Sequence, residues 1–174
     1  MDYSNLMQKP RIEKVVVNIG VGESGERLGK AEQLLELLTG RKSVRTVTTH
    51  KIPTWNLRGG EPIGCKVTLR GGEADEFLKK SFEAVDGRLF YSNFDSLGNL
   101  AFGVSEYIDF PGVKYDPDIG IFGFNVCATI KRPGFRVKTR KLNKSRIPPK
   151  SAITADEAIE LIKEKFGVEV ERKE

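Results

Sequence analysis

Ser43–Arg70, SVRTVTTHKIPTWNLRGGEPIGCKVTLR, decides the fold. Ser43–Thr49 alternates valine with polar residues, and Ile63–Arg70 alternates again, which is the period of a strand with one buried face. Between them, His50–Pro62 holds two prolines and two glycines. Such a composition interrupts regular structure, so the pair reads as a hairpin with a long projecting loop. Hairpins join antiparallel neighbours, whereas parallel neighbours need a crossover connection. An α+β domain is therefore expected rather than a doubly wound parallel sheet.

The flanks agree. Arg11–Ile19 (RIEKVVVNI) is rich in β-branched residues and reads as a strand, followed by a turn at Gly20–Gly25. Leu28, Ala31, Leu34, Leu35 and Leu38 then recur at helical spacing, and Gly40 is placed to end that helix. Ala74, Phe77, Leu78, Ser81, Phe82 and Val85 mark a second amphipathic helix, and Asn99–Tyr107 and Gly123–Ile130 read as two further strands. Thr154-Ala-Asp-Glu157 is a capping-box signature ahead of Ala158, Ile159, Ile162 and Phe166 on one face of a last helix. The expected architecture is a mainly antiparallel sheet with helices packed on one face. Its other face, with Thr, Asn, Lys and Arg side chains, is left to meet a ligand. The 174 residues contain no repeat and no long linker, so residues 1–174 are expected to form one domain, with a projecting loop at about 50–62 and a basic loop at about 131–150.

Charge distribution narrows the function. The net charge is +5, but its placement says more than its size. Segment 131–150 carries Lys131, Arg132, Arg136, Lys138, Arg140, Lys141, Lys144, Arg146 and Lys150 and no acid, and 41–60 carries Arg41, Lys42, Arg45, Lys51 and Arg58 and no acid. Such segregation is the electrostatic footprint of a polyanion partner. The prolines of 131–150 predict an extended loop with a mobile tip. Trp55 sits at the expected hairpin tip between Thr54 and Asn56, and two roles stay open for it: a core residue, or an exposed stacking contact. Cys65 and Cys127 lack metal-ligand spacing and are expected to be buried apolar residues in a reducing, cytoplasmic setting. The sequence offers neither a signal-peptide h-region nor an apolar run of about 18 residues, so no membrane partner is expected.

The enzyme reading rests on Gly20-Val-Gly22-Glu-Ser-Gly25, a glycine loop between a strand and a helix. A dinucleotide site would use that context to bring backbone N–H groups to a pyrophosphate. Glu23, however, puts a carboxylate in the proposed cradle, and no acid occurs about 20 residues on to hold a ribose. Gly29-Lys30 fails as a phosphate-binding loop too, with Ser24 in place of the first glycine and Ala31 in place of the hydroxyl residue. The segment reads better as a strand-to-helix turn. His50 is the only histidine and lies in a basic loop with no orienting carboxylate, and Asp116-Pro-Asp118 reads as a turn. No catalytic residue, metal site or cofactor is expected.

Four blocks, PRIEKVVVNIGVGESG (10–25), TGRKSVRTVTTHKIP (39–53), GEPIGCKVTLRGGEADEFL (60–78) and FDSLGNLAFGVSEYIDFPGVKYD (94–116), resemble large-subunit ribosomal protein five, the 5S-rRNA-binding family. HKIPTW at the start of the hairpin and the long basic 131–150 segment resemble its archaeal and eukaryotic branch. The resemblance implies an α+β fold whose sheet face binds 5S rRNA in the central protuberance of the large subunit. It further implies contact with 23S rRNA and other central-protuberance proteins, a loop reaching P-site tRNA, and a bridge to the small-subunit head through small-subunit protein thirteen. Carried over by position, Asn18, Thr46, Thr48, Lys66 and Thr68 fall on strands of that face, with Arg45 as a cation beside them. The tRNA-proximal loop is implied for His50, Lys51, Trp55, Asn56 and Arg58. Charge assigns Arg132, Arg136, Lys138, Arg140, Lys141, Lys144 and Arg146 to rRNA.

Overall fold

A computed structural model describes residue 5 and residues 7–172, with the side chain of Lys150 outside the described residues. Strand β1 (Arg11–Gly20) leads through the glycine turn into helix α1 (Glu26–Thr39), then β2 (Val44–Val47), the hairpin, and β3 (Pro62–Leu69). Helix α2 (Gly72–Glu83), β4 (Arg88–Phe90), β5 (Leu100–Val104) and β6 (Phe124–Lys131) follow. A short helix α3 (Arg136–Thr139) interrupts the basic segment before α4 (Ala155–Phe166) and β7 (Glu169–Glu171).

Five strands form an antiparallel sheet in the order β2-β3-β1-β6-β5. The alternation read from the sequence becomes a two-faced sheet. Val15, Val17 and Ile19 of β1, Val67 and Leu69 of β3, Phe102 and Val104 of β5, and Phe124 and Val126 of β6 are all buried. Leu28, Leu34 and Leu35 of α1, Phe77, Leu78 and Phe82 of α2, and Ile159 and Ile162 of α4 join the same core. Helix α1 packs on β3 and α2 on β1. Phe82 stacks on Phe102 and meets Phe166 edge-on, which ties α2 to β5 and α4. The expected sheet with helices on one face is therefore observed.

The predicted helix signals hold. Gly40 takes a left-handed φ of 65° and donates its N–H to the Glu36 carbonyl, closing α1. Thr154 Oγ1 accepts from the Glu157 N–H while the Glu157 carboxylate accepts from the Thr154 N–H, the reciprocal capping box. Strands β4 and β7 have no counterpart in the sequence reading; they pair in parallel as a separate two-stranded sheet. Each has three residues, too few for periodicity to register.

Candidate nucleic-acid interface

Among the described residues, the long helices α1 and α2 pack on the buried face of the five-stranded sheet, and only the short α3 approaches the second face, at the Thr129 end of β6. Register places one row straight across it: Val44 beside Lys66, Lys66 beside Asn18, Asn18 beside Asn125, and Asn125 beside Gly103. The next row runs Thr68, Val16, Cys127, Ala101. Lys66 and Thr68 are exposed and Asn18 half-buried. Thr46 lies over Gly64, where a Cβ would come within 2.7 Å of the Ile19 carbonyl oxygen and 2.9 Å of Thr46 Oγ1. Only glycine lets β1, β3 and β2 approach this closely at that point. The strand alternation of Gly123–Ile130 also puts Asn125 and Thr129 on the open face, as it puts Lys14 there in β1. The period-two pattern carries their signal in the sequence, but a search for acid-free runs does not pick out uncharged Asn125 and Thr129 or the isolated Lys14.

The five strands together contain one carboxylate, Glu13. It sits at the β-bulge between Ile12 and Lys14 and forms ion pairs with Lys131 and, at 3.6 Å, with Arg70. Partial burial pushes its pKa up, but the hydrogen bond from Lys131 and the surrounding cations outweigh this and hold it below the ordinary value. The other polar side chains of these strands are arginine, lysine, asparagine and threonine, which suit phosphates and hydroxyls.

Three expected contact residues are placed elsewhere. Arg45 pairs opposite Cys65, hence on the helix-covered face. Its guanidinium grips the Glu32 carboxylate of α1 at 2.5 and 3.0 Å, and that hydrogen bond holds the Glu32 pKa down. Thr48 lies beyond β2 and is buried; its Oγ1 donates to the Arg58 carbonyl at 2.5 Å. It braces the hairpin instead of facing outward. Arg132 donates to Glu157 Oε1 at 2.6 Å, with side chains only 13% and 17% exposed. It fastens the end of β6 to α4. Cys127 also departs from expectation: Cys65 is buried, with its thiol pushed up to about 11 by burial, whereas Cys127 is exposed on the open face.

The projecting hairpin is internally built. Ile52 and Leu57 exchange backbone hydrogen bonds, Pro53–Trp55 makes a 3₁₀ turn, and Asn56 takes the left-handed φ of 57°. At its base, the Glu61 carboxylate accepts from the Ser24 hydroxyl at 2.7 Å and from the Arg58 N–H at 3.1 Å. These bonds lower its pKa. Trp55 is 70% exposed, so it is not a core residue in this structure, and His50, Lys51, Asn56 and Arg58 are exposed beside it.

The basic segment is more ordered than an extended loop. Its prolines sit at its ends, and the proline-free run between Gly134 and Ile147 makes α3 and folds back, with the Ser145 N–H donating to the Val137 carbonyl. Half-buried Phe135, Val137 and Ile147 supply the apolar contacts for this packing. Arg136, Lys138, Arg140, Lys141, Lys144 and Arg146 all remain exposed.

The glycine loop is occupied by the fold itself. The N–H groups of Val21 and Gly22 both donate to the Ile63 carbonyl, so they are not free to hold a pyrophosphate. Among the described residues, no cluster of His, Cys, Asp or Glu side chains is arranged for a metal, and no helix is long and apolar enough to cross a membrane.

The family described as Ribosomal protein L5 matches residues 5–58, and the model of that ribosomal family's C-terminus matches residues 62–163. The chain belongs to the ribosomal L5 family. It is 53% identical over 167 residues to the large ribosomal subunit protein uL5 of Methanococcus vannielii, covering 94% of this chain and 92% of that one. The proteins of the same name from Methanococcus maripaludis (53% over 169 residues, 95% and 93% covered) and Methanococcoides burtonii (49% over 168 residues, 97% and 99% covered) are similar. The archaeal-type resemblance agrees with these relatives. Membership of this family also removes the dinucleotide reading of Gly20–Gly25, since the family is one of structural ribosomal proteins and not of enzymes.

Proposed function

We propose that the protein is a structural constituent of the large ribosomal subunit that binds 5S rRNA on the open sheet face. The observation that carries this is the five-stranded surface opposite α1 and α2, whose strands hold a single carboxylate that is already ion-paired. Lys66 and Lys14 would meet phosphates, while Asn18, Thr46, Thr68, Asn125 and Thr129 would meet ribose hydroxyls and base edges. Arg136, Lys138, Arg140, Lys141, Lys144 and Arg146 would contact 23S rRNA in the central protuberance, among its other proteins. The exposed hairpin tip, His50, Lys51, Trp55, Asn56 and Arg58, would approach P-site tRNA. A bridge through small-subunit protein thirteen completes the proposed set of partners. Residues 1–174 would act as one RNA-binding domain.

The test is an anisotropy titration of labelled 5S rRNA at several salt concentrations. With about six phosphates engaged, log K should fall against log salt with a slope near −4 to −5. A salt-independent affinity, or one no tighter than for tRNA or duplex DNA, would count against the proposal.

A further inference from the structure

Between the folded-back basic segment and the end of the sheet lies a cleft of about 770 Å³. It falls within the range of about 300–1,000 Å³ usual for small-ligand sites. Ile130 and Ile153 are buried in its floor, and half-buried Phe135 and Ile147 form one wall. Lys138, Lys144 and Arg146 rim it, and among the described residues none of these three forms an ion pair. The one carboxylate lining it, Glu13, is held by Lys131 and Arg70. Thr129 and Ser145 also line it, and among the described residues their hydroxyls have no hydrogen-bond partner.

An apolar slot with a cationic rim is chemically specific. A duplex offers phosphates but keeps its bases stacked inside, and so leaves the floor unfilled. A free phosphate would use the rim alone, and an apolar peptide side chain would use the floor alone. An unpaired nucleotide supplies both parts: a flat, weakly hydrated base for Phe135 and the isoleucines, and flanking phosphates for the rim. The free hydroxyls of Thr129 and Ser145 can then serve the base edge.

We propose that this cleft seats one unpaired nucleotide of the bound RNA, its base against Phe135 and Ile147 and its flanking phosphates on Lys138, Lys144 and Arg146. The proposal rests on the RNA-binding reading above and gives the basic segment a shape-selective subsite within it.

The test uses the full chain carrying Trp55→Phe and Phe135→Trp, so that the only indole reports on the cleft. The probes are three labelled RNA hairpins at one fixed salt concentration: a perfect stem, the same stem with one bulged adenosine, and the same bulge made abasic. The bulged hairpin should bind about tenfold tighter than the other two, the scale of one base stacked on an aromatic ring, and it alone should quench the indole. In the otherwise unsubstituted protein, Leu97→Ala, at a residue that lines the cleft from the turn before β5, should shrink that preference, whereas Leu142→Ala, exposed on the basic segment and outside the cleft, should leave it intact. These side chains are surface-exposed, so the pair stays informative if the reporter variant folds poorly. Equal binding of all three hairpins without quenching would overturn the cleft while leaving general RNA binding standing. Failure of every hairpin to bind would overturn both.

Discussion

Arg132 belongs to the acid-free stretch most exposed to an RNA interpretation, yet its geometry assigns it to the fold. Replacing it with methionine keeps much of the aliphatic stem and removes the charge. Glu157 then loses its 2.6 Å partner while remaining 17% exposed, and the Ala152 carbonyl loses its 3.4 Å contact with Arg132. Exposed pairs are worth about 0–1 kcal/mol, and breaking a fully buried one costs about 3–5 kcal/mol. This pair lies between those limits, and Glu157 keeps its capping bond to the Thr154 N–H at 3.3 Å, so the expected loss is about 2 kcal/mol. For a chain of this size that is a fall in Tm of roughly 4–8 °C. The companion variant is Lys144→Met, an exposed side chain without an ion pair, whose stability should stay within about 0.5 kcal/mol of the parent. Salt titrations with a 23S rRNA fragment from the central protuberance, the RNA proposed for the basic segment, separate the two roles. Losing a phosphate contact flattens the slope by about 0.7–0.9, so a change is expected for Lys144→Met and none for Arg132→Met. An unchanged melting temperature together with a flatter slope for Arg132→Met would refute the assignment.

Three further expectations follow from the hairpin and the sheet. Because its bonds favour the carboxylate, Glu61 stabilises the hairpin base above the ordinary glutamate value of 4.5 and ceases to do so as pH falls through its lowered pKa; the Arg58 amide resonance should therefore titrate with a midpoint below that value, and a midpoint at or above it would be contrary. Gly64→Ala should cost about 1–3 kcal/mol by urea unfolding, since the contacts a Cβ meets include the Ile19 backbone carbonyl, which cannot swing aside. Trp55→Ala should leave stability within about 0.5 kcal/mol of the parent while weakening crosslinking of the hairpin to P-site tRNA in assembled ribosomes; a large fall in Tm would mean that the ring is core.

The fold was legible where a period repeats. The alternations in Ser43–Thr49 and Ile63–Arg70 gave the hairpin, the leucines of α1 gave its buried stripe, and Thr154 with Glu157 gave the start of α4. The proposed RNA site was legible as a sheet face more than as a set of residues. Asn18, Lys66 and Thr68 could be placed because strand parity puts them opposite buried neighbours. Arg45 and Arg132 are ion-paired because an acid-free stretch of sequence is not acid-free in space: their carboxylates lie 13 residues earlier on α1 and 25 residues later on α4. Thr48 looked like one more alternating residue, but the register shift between Thr46 and Val47 precedes it. The prolines of 131–150 suggested irregularity throughout, although they leave a run long enough for α3.

Cys127 offers a probe of the central claim that needs no substitution. It lies exposed in the row Thr68, Val16, Cys127, Ala101, at the middle of the proposed RNA face, while Cys65 is buried on the other side with its thiol pushed up to about 11. Iodoacetamide should alkylate Cys127 in the free protein and leave Cys65 untouched until unfolding. Saturating 5S rRNA should suppress Cys127 alkylation, and tRNA at the same concentration should not. Alkylation of Cys127 at the same rate in the saturated 5S rRNA complex as in the free protein would contradict the assignment of this face.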